Sequence, residues 1–287
     1  MVLSTCEPGI EVWTFIGIAS SLTVVILAFI YMLGKILTKS ELESIAKNEL
    51  TQLFIALVIA IAIVSLASIS CKATKLLIPE TMGDKNQFSI SITYLSILIY
   101  NKGLPTIQQL WSSNFLIEVL SSSEISLSKV KLSAGFLKPF AKIVNAFMFI
   151  VPIFIASLNA QMILIQLSEA FALTLILPLG MILRTIPGLR KGGSFLMALA
   201  FGLYFVFPLT YVMDYLIYKE VDPAFQGYSP EINPLETFIL STNIINVLGY
   251  FNDLAVLIPQ ATALVIINFT ITISFIAIFT EFLDSIQ

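Results

Sequence analysis

Glu169 is the residue whose type and position could do chemistry inside a membrane, because it is the only charged residue between Ile143 and Leu183. A carboxylate in hydrocarbon costs several kcal/mol and commonly marks a functional site. One interpretation is an ion or proton site, or a polar contact lining a conduit. The other is a protonated or hydrogen-bonded carboxyl that fixes helix packing. Asn159 and Gln161 are candidates for the same interior face, and so are Gln166 and Asn268.

Other kinds of chemistry are poorly represented. The chain has no histidine and only two cysteines, which excludes histidine-based catalysis and metal sites built on histidine or several cysteines. The nucleotide-binding pattern Gly-x-x-x-x-Gly-Lys-Ser/Thr is absent from the sequence. We therefore expect no enzyme activity and no cofactor, and we favour transport, a pore or a scaffold.

The composition is that of a membrane protein. Of 287 residues, 57% are hydrophobic and 11% are charged, whereas soluble domains average about 45–50% and about 25%. The mean hydropathy is +0.95. This excludes an ordinary soluble protein, a disordered chain and a disulfide scaffold. The net charge of −3 argues against nucleic-acid binding through a basic surface. We expect a multi-pass protein of the cell membrane.

Apolar runs of about 20 residues predict an all-α fold with about six, or six to seven, transmembrane helices. A break near Asn159-Ala160-Gln161 divides the longest apolar tract into two spans. Phe88–Tyr100 and Phe238–Tyr250 are predicted to be re-entrant or short extra segments. The predicted spans are Val12–Gly34, Leu50–Ser70, Phe140–Leu158, Met162–Leu183, Ser194–Tyr218 and Leu254–Phe282.

Three regions follow from this layout. Residues 1–70 form an N-terminal tail and a transmembrane hairpin, and residues 139–287 form a C-terminal transmembrane bundle. Residues 71–138 are predicted to form a helical extramembrane segment between the second and third spans. Its helix carries apolar residues every four positions, which favours packing in a core or an interface: Ile107, Trp111, Phe115 and Val119.

The orientation signals conflict. Three lysines follow the first span and none precedes it, which places the N-terminus outside. With six spans, however, Arg184, Arg190 and Lys191 then also lie outside, against the same rule. A seventh crossing between residues 71 and 138 would reconcile the signals, and so would an N-terminus inside. Cys6 and Cys71 lie on one face, where a disulfide is expected if that face is extracellular and two buried thiols if it is cytoplasmic.

The most informative stretch is a proline-containing helix end, a tight turn and the start of another helix, Leu177–Ser194 (LPLGMILRTIPGLRKGGS). Arg184, Arg190 and Lys191 can reach lipid phosphates, acidic partners or a nucleic-acid backbone. By physical argument alone, lipid head-group anchoring is the better interpretation of so small a group of charges.

That stretch, together with Ala198–Tyr211 (ALAFGLYFVFPLTY) and Ser40–Phe54 (SELESIAKNELTQLF), resembles polytopic membrane proteins of archaeal DNA-transfer systems. This is the CedA family of the crenarchaeal exchange-of-DNA (Ced) importer, which is similar to the TrbL/VirB-type polytopic component of type IV secretion. The three stretches together make up about a sixth of the chain.

The resemblance implies a channel or platform subunit through which DNA crosses the membrane as the translocated substrate. Its implied partners are a HerA- or VirB-like ATPase, small hydrophobic pilin-like subunits, membrane lipids and further copies in an oligomer. The motif charges Arg184, Arg190 and Lys191 become candidates for contact with the ATPase or DNA. Two alternatives stay open: a secondary transporter of ions or small molecules with Glu169 in its site, and a pilus-assembly platform without a pore.

Overall fold

The computed structural model describes residues 9–77, 86–122, 124–127, 130–133, 138–225 and 253–286, and these are helical almost throughout. The α-helices are α1 (Ile10–Ile36), α2 (Ser40–Leu77), α3 (Gln87–Ser96), α4 (Leu104–Ser122), α5 (Lys138–Phe171), α6 (Leu177–Arg184), α7 (Arg190–Phe201), α8 (Phe207–Phe225), α9 (253–261) and α10 (Ala263–Ser285). Two short antiparallel strands are β1 (Glu124–Leu127) and β2 (Val130–Ser133).

Five helices in the described part of the chain are long and apolar enough to cross a membrane, which agrees with a multi-pass helical protein. They are Ile10–Ile36, Glu43–Thr74, Ala141–Arg184, Arg190–Glu220 and Asp253–Ser285. The number differs from the predicted six because residues 141–184 form one helix where two spans were predicted.

The predicted break near residues 159–161 is wrong. The Asn159 side chain donates to the Ile155 carbonyl oxygen at 3.1 Å, and the Gln161 amide donates to the Ser157 hydroxyl at 3.3 Å. Each polar side chain therefore finds a partner one turn back along α5, and the helix continues through both positions. The predicted Phe238–Tyr250 segment lies outside the described residues.

Three π-helical segments interrupt the long helices, and each has the same local cause. They are π1 (Ile97–Gly103), π2 (Ala172–Ile176) and π3 (Gly202–Val206). Each is followed by one apolar residue and then by proline, at positions 105, 178 and 208. The residue before each proline donates its N–H five residues back, to the carbonyl oxygens of Ile99, Ala172 and Gly202. Proline has no N–H and crowds the carbonyl four residues earlier, so the wider π turn accommodates it.

The segment between the second and third predicted spans is only partly as expected. Phe88–Tyr100, predicted to be re-entrant or extra, becomes α3 and the start of π1, and Phe88, Tyr94 and Leu98 are buried. A helix is present there as α4, but the predicted apolar stripe is not its buried face: Trp111 is 64% exposed and Phe115 is 67% exposed, whereas Leu110 is buried. The segment ends in the β1–β2 hairpin, so it is not helical throughout.

The chain divides into two compact units. The first comprises Met1–Ile92, Ile163–Tyr215 and Ile267–Gln287, and the second comprises Thr93–Met162 and Leu216–Ile266. In the second unit, Lys102 forms an ion pair with Asp253 at 3.1 Å. Tyr94 donates to Gln260. These two contacts join distant parts of the chain into the second unit.

The first unit has an apolar core built from α1, α2, α6, α7 and α10. Its buried members include Ile16, Ile63, Met181, Met197 and Ile276. Two aromatic contacts join α7 to α10. The Phe201 ring centroid lies 5.5 Å from that of Phe275 and 5.1 Å from that of Phe279. This core supports the hairpin formed by α6 and α7.

Candidate functional site

The turn between α6 and α7 is set by its own residues. Pro187 cannot continue a helix, and Gly188 adopts φ of +88°, a left-handed conformation that glycine tolerates. The two helices then approach closely at Gly193: a Cβ placed there would lie 2.6 Å from the Arg184 Cα and 2.7 Å from the Gly180 carbonyl oxygen. Glycine at 193 is therefore required for this approach, and the turn at residues 185–189 is held at the end of a tight hairpin.

Arg184 ends α6 and is completely buried. Its guanidinium donates to the Ser194 hydroxyl at 3.3 Å and to the Leu283 carbonyl oxygen at 3.0 Å. Asp284 lies close enough to interact with it electrostatically. The side chain thus ties the start of α7 and the end of α10 to the end of α6.

Arg190 begins α7 and pairs with Glu49 of α2. Glu49 is 3% exposed, so this ion pair is largely withdrawn from water on the carboxylate side. The guanidinium of Arg190 also lies near that of Arg184. We call Glu49, Arg184, Arg190 and Asp284 the charge network; its two cations and two anions balance.

The charge network is not fully satisfied by protein groups. Among the described side chains, buried atoms without a hydrogen-bond partner include Oε2 of Glu49, Nε of Arg184, Nε of Arg190 and Oδ1 of Asp284. Buried charges are costly, and replacing such networks with apolar residues is often neutral or stabilising. We therefore assign the network a positioning role: it fixes where the α6–α7 turn lies relative to α2 and α10.

The three predicted contact residues separate in the structure. Arg184 is buried and Arg190 is engaged with Glu49, so neither presents a free cation at the surface. Lys191 is exposed. Two apolar turn residues accompany it, Ile186 at 42% and Leu189 at 49% exposure. The available contact surface of the motif is therefore a mixed apolar and cationic turn, which we call the exposed turn (residues 186–191).

Glu169, predicted as the intramembrane site, has a polar partner in the first unit. Its carboxylate accepts a hydrogen bond from the Asn86 amide at 3.3 Å, and the Asn86 side-chain oxygen accepts the Ser89 backbone N–H at 2.7 Å. Asn86 therefore caps the N-terminus of α3 with its side-chain oxygen and contacts the Glu169 carboxylate with its amide nitrogen. Asn159 and Gln161, the other predicted members of the site, belong to the second unit, and each hydrogen bonds one turn back within α5.

A further polar contact lies beside this cap. The Gln87 amide donates to the Tyr204 carbonyl oxygen at 2.8 Å, and its side-chain oxygen accepts the Ser70 hydroxyl at 3.0 Å. Tyr204 lies four residues before Pro208, so its carbonyl has lost its regular helical donor. Gln87 supplies the missing donor. The Ser91 hydroxyl lies within hydrogen-bond distance of both the Gln87 and the Pro208 carbonyl oxygens, at 2.8 and 2.9 Å.

A second carboxylate inside a candidate span is Asp214, which is 5% exposed and accepts a hydrogen bond from the Asn268 amide at 2.6 Å. The Tyr211 side chain also hydrogen bonds to Asn268. Asp214 and Asn268 are 54 residues apart in sequence, so only their shared position inside predicted spans could have signalled the pair.

Cys71 takes part in a disulfide. Cys6, the other cysteine of the chain, lies outside the described residues, so its pairing with Cys71 stays a prediction. Within the described ranges, no group of three or more His, Cys, Asp or Glu side chains is arranged to hold a metal ion.

No protein-family model, no curated protein and no solved structure matches this chain.

Proposed function

We propose that this chain is a membrane subunit of a DNA-transfer apparatus, a channel or platform component that works with a separate motor ATPase. The observation that carries the proposal is the α6–α7 hairpin. Its residues bear the resemblance to the archaeal DNA-transfer family, and its exposed turn is held in place by the charge network. A fixed turn with Ile186, Leu189 and Lys191 at its surface suits contact with a soluble partner.

The packing of the first unit bears on how DNA would pass. Its centre is filled by apolar side chains such as Ile63, Met181 and Met197, all 1% exposed or less. A passage for a polyanion through that core would require water and cations in place of these side chains. The proposal therefore places the passage between copies of the chain, or between this chain and pilin-like partners, and predicts an oligomer.

The test is a gentle-detergent pull-down of tagged protein from native membranes, followed by mass spectrometry. We expect a HerA- or VirB-like ATPase and small hydrophobic subunits to follow the wild-type chain. A Leu189→Ser, Lys191→Glu double variant should lose the ATPase and lower DNA transfer, because it changes the exposed turn without touching the charge network. Lys39→Glu is the matched control, since Lys39 is also an exposed lysine in a short connection.

A chain that purifies alone as a stable monomer or dimer would refute this proposal. So would an exposed-turn variant that transfers DNA as well as wild type does. If filaments assemble normally while transfer is lost, a channel role is favoured over a pilus platform.

The alternative, a secondary transporter of ions or small molecules, is favoured by one specific observation. Glu169 and Asp214 both lie inside candidate spans, and each is held by an asparagine amide. Carboxylates inside membrane helices commonly mark ion and proton pathways. The test is proton flux into vesicles that contain the purified protein and a pH-sensitive dye. Flux that is abolished by Asp214→Asn would support the transporter. Gln166→Ala, at an exposed position of α5, is the control and should leave the flux unchanged.

A further inference from the structure

The α6–α7 turn, the start of α2 and the end of α10 meet at one end of the first unit. The Arg190–Glu49 ion pair joins α7 to α2, and the Arg184 bond to the Leu283 carbonyl joins α6 to α10. The end of α1 lies there too, because Tyr31 donates to Glu43 at 3.3 Å. We call this the basic end of the bundle.

The basic end collects cations in very short connections. Residues 37–39 join α1 to α2, and residues 185–189 join α6 to α7. The cations in or beside these connections are Lys35, Lys39, Lys47, Arg184, Arg190 and Lys191. Short loops of this kind are where lysine and arginine decide orientation, and they are retained in the cytoplasm.

The nine remaining lysines do not carry the same weight. Eight of them lie between Lys72 and Lys142, in and around the long stretch that separates α2 from α5. Long segments cross the membrane largely regardless of their charge. The sequence had placed Lys39 and Arg184 on opposite faces when residues 141–184 were counted as two spans. Because these residues form one helix, Arg184 lies on the same face as Lys39, and the two orientation signals agree.

The disulfide at Cys71 gives an independent sign of direction. Cys71 follows Glu49 by 22 residues within α2, which is about 33 Å along a helix. That distance matches the hydrocarbon core of about 30 Å, so Cys71 lies at the membrane face opposite the basic end. Disulfides form and persist on the oxidising side of a cell membrane and are rare in the cytosol.

We infer that the basic end of the first unit faces the cytoplasm, and that the Cys71 end, with the N-terminus of α1, faces outward. This sidedness does not rest on the proposed function. It adds to that function a constraint on partners: the exposed turn meets a cytoplasmic partner, and the chain that follows Cys71 meets an extracytoplasmic one.

Thiol labelling of intact cells tests the inference on the full chain. Lys39→Cys places a thiol at the basic end, and Lys219→Cys places one near the far end of the Arg190–Glu220 helix; both positions are exposed. A membrane-impermeant maleimide reagent should shift the gel band of Lys219→Cys in intact cells. It should shift the band of Lys39→Cys only after permeabilisation.

The wild-type chain is the matched control, since its cysteines should label only after denaturation and reduction. The reverse labelling pattern, or labelling of Lys39→Cys from outside, would overturn the inference. A wild-type chain whose thiols react without any reductant would overturn it as well, because Cys71 would then be reduced. These outcomes are distinct from failure of the DNA-transfer proposal, which the pull-down measures.

Discussion

Substituting Gly193 by alanine should open the hairpin that carries the exposed turn. A Cβ at residue 193 would lie 2.6 Å from the Arg184 Cα and 2.7 Å from the Gly180 carbonyl oxygen. Both obstructing atoms belong to the backbone, so no side-chain rotation can relieve the contact. The Arg184 backbone nitrogen would lie closer still. Ordinary contacts begin near 3.4 Å, so α6 and α7 must separate by at least about 0.8 Å at this crossing.

The neighbouring glycine isolates that effect. A Cβ at Gly192 meets nothing within 4 Å, and both positions lie in α7, so both alanines gain the same helix propensity of up to about 1 kcal/mol. The difference between the two variants is then the overpacking cost, about 1–3 kcal/mol and near the upper limit for backbone contacts. A loss of about 3 kcal/mol corresponds to a fall in Tm of about 6–12 °C for a chain of this size.

The measurement is thermal unfolding of purified protein in a mild detergent, read as the fraction that remains monodisperse after heating. Gly192→Ala should unfold at or above the wild-type temperature, and Gly193→Ala well below it. If the two variants unfold at the same temperature, the close approach of α6 and α7 is wrong. The positioning role of the charge network would then fall with it.

Two further perturbations test the contacts around the hairpin and the π-helical segments. Arg190→Met should cost about 3–5 kcal/mol because it leaves the buried Glu49 carboxylate unpaired, and adding Glu49→Leu should recover most of that loss in the same thermal assay. Gln87→Leu should cost about 1–3 kcal/mol because the Tyr204 carbonyl loses its donor. In a Pro208→Ala background the backbone N–H returns, so Gln87→Leu should cost much less there; an equal cost in both backgrounds would contradict this account.

The helical membrane class followed from hydropathy because burial in lipid demands long apolar helices with internally paired backbones. The division of residues 140–183 into two spans failed for a local reason. Asn159 and Gln161 were interpreted as helix-breaking polar residues, yet both bond one turn back within α5. The length of the apolar tract also suggested a break, since its 41 residues from Ile143 to Leu183 exceed one bilayer crossing. Sequence spacing does not reveal whether such a tract folds as one helix or as two.

The candidate site was predicted only in part, because its contacts join residues far apart in the chain. The spacing of Arg184 and Arg190 was visible, but Glu49 lies 141 residues from Arg190 and Leu283 lies 99 residues from Arg184. The Gln87 contact with the Tyr204 carbonyl, four residues before Pro208, differs from these contacts because a local sequence feature points to it. Proline removes a defined hydrogen bond, so a search for a polar side chain able to replace it could have identified Gln87.

The residues that carry the resemblance described above are mostly packing residues of the α6–α7 hairpin. Gly180 and Gly193 allow the close approach of α6 and α7, and the Arg184 side chain is buried between the helices it joins. Such residues specify the hairpin and do not present charged groups at its surface. Under the proposed function, partner contact is then expected at the exposed turn, where Leu189 and Lys191 are exposed. A Leu189→Ser, Lys191→Glu chain that unfolds at the wild-type temperature but loses its partner would separate the two roles, and a loss of thermal stability in that chain would show that the turn is structural as well.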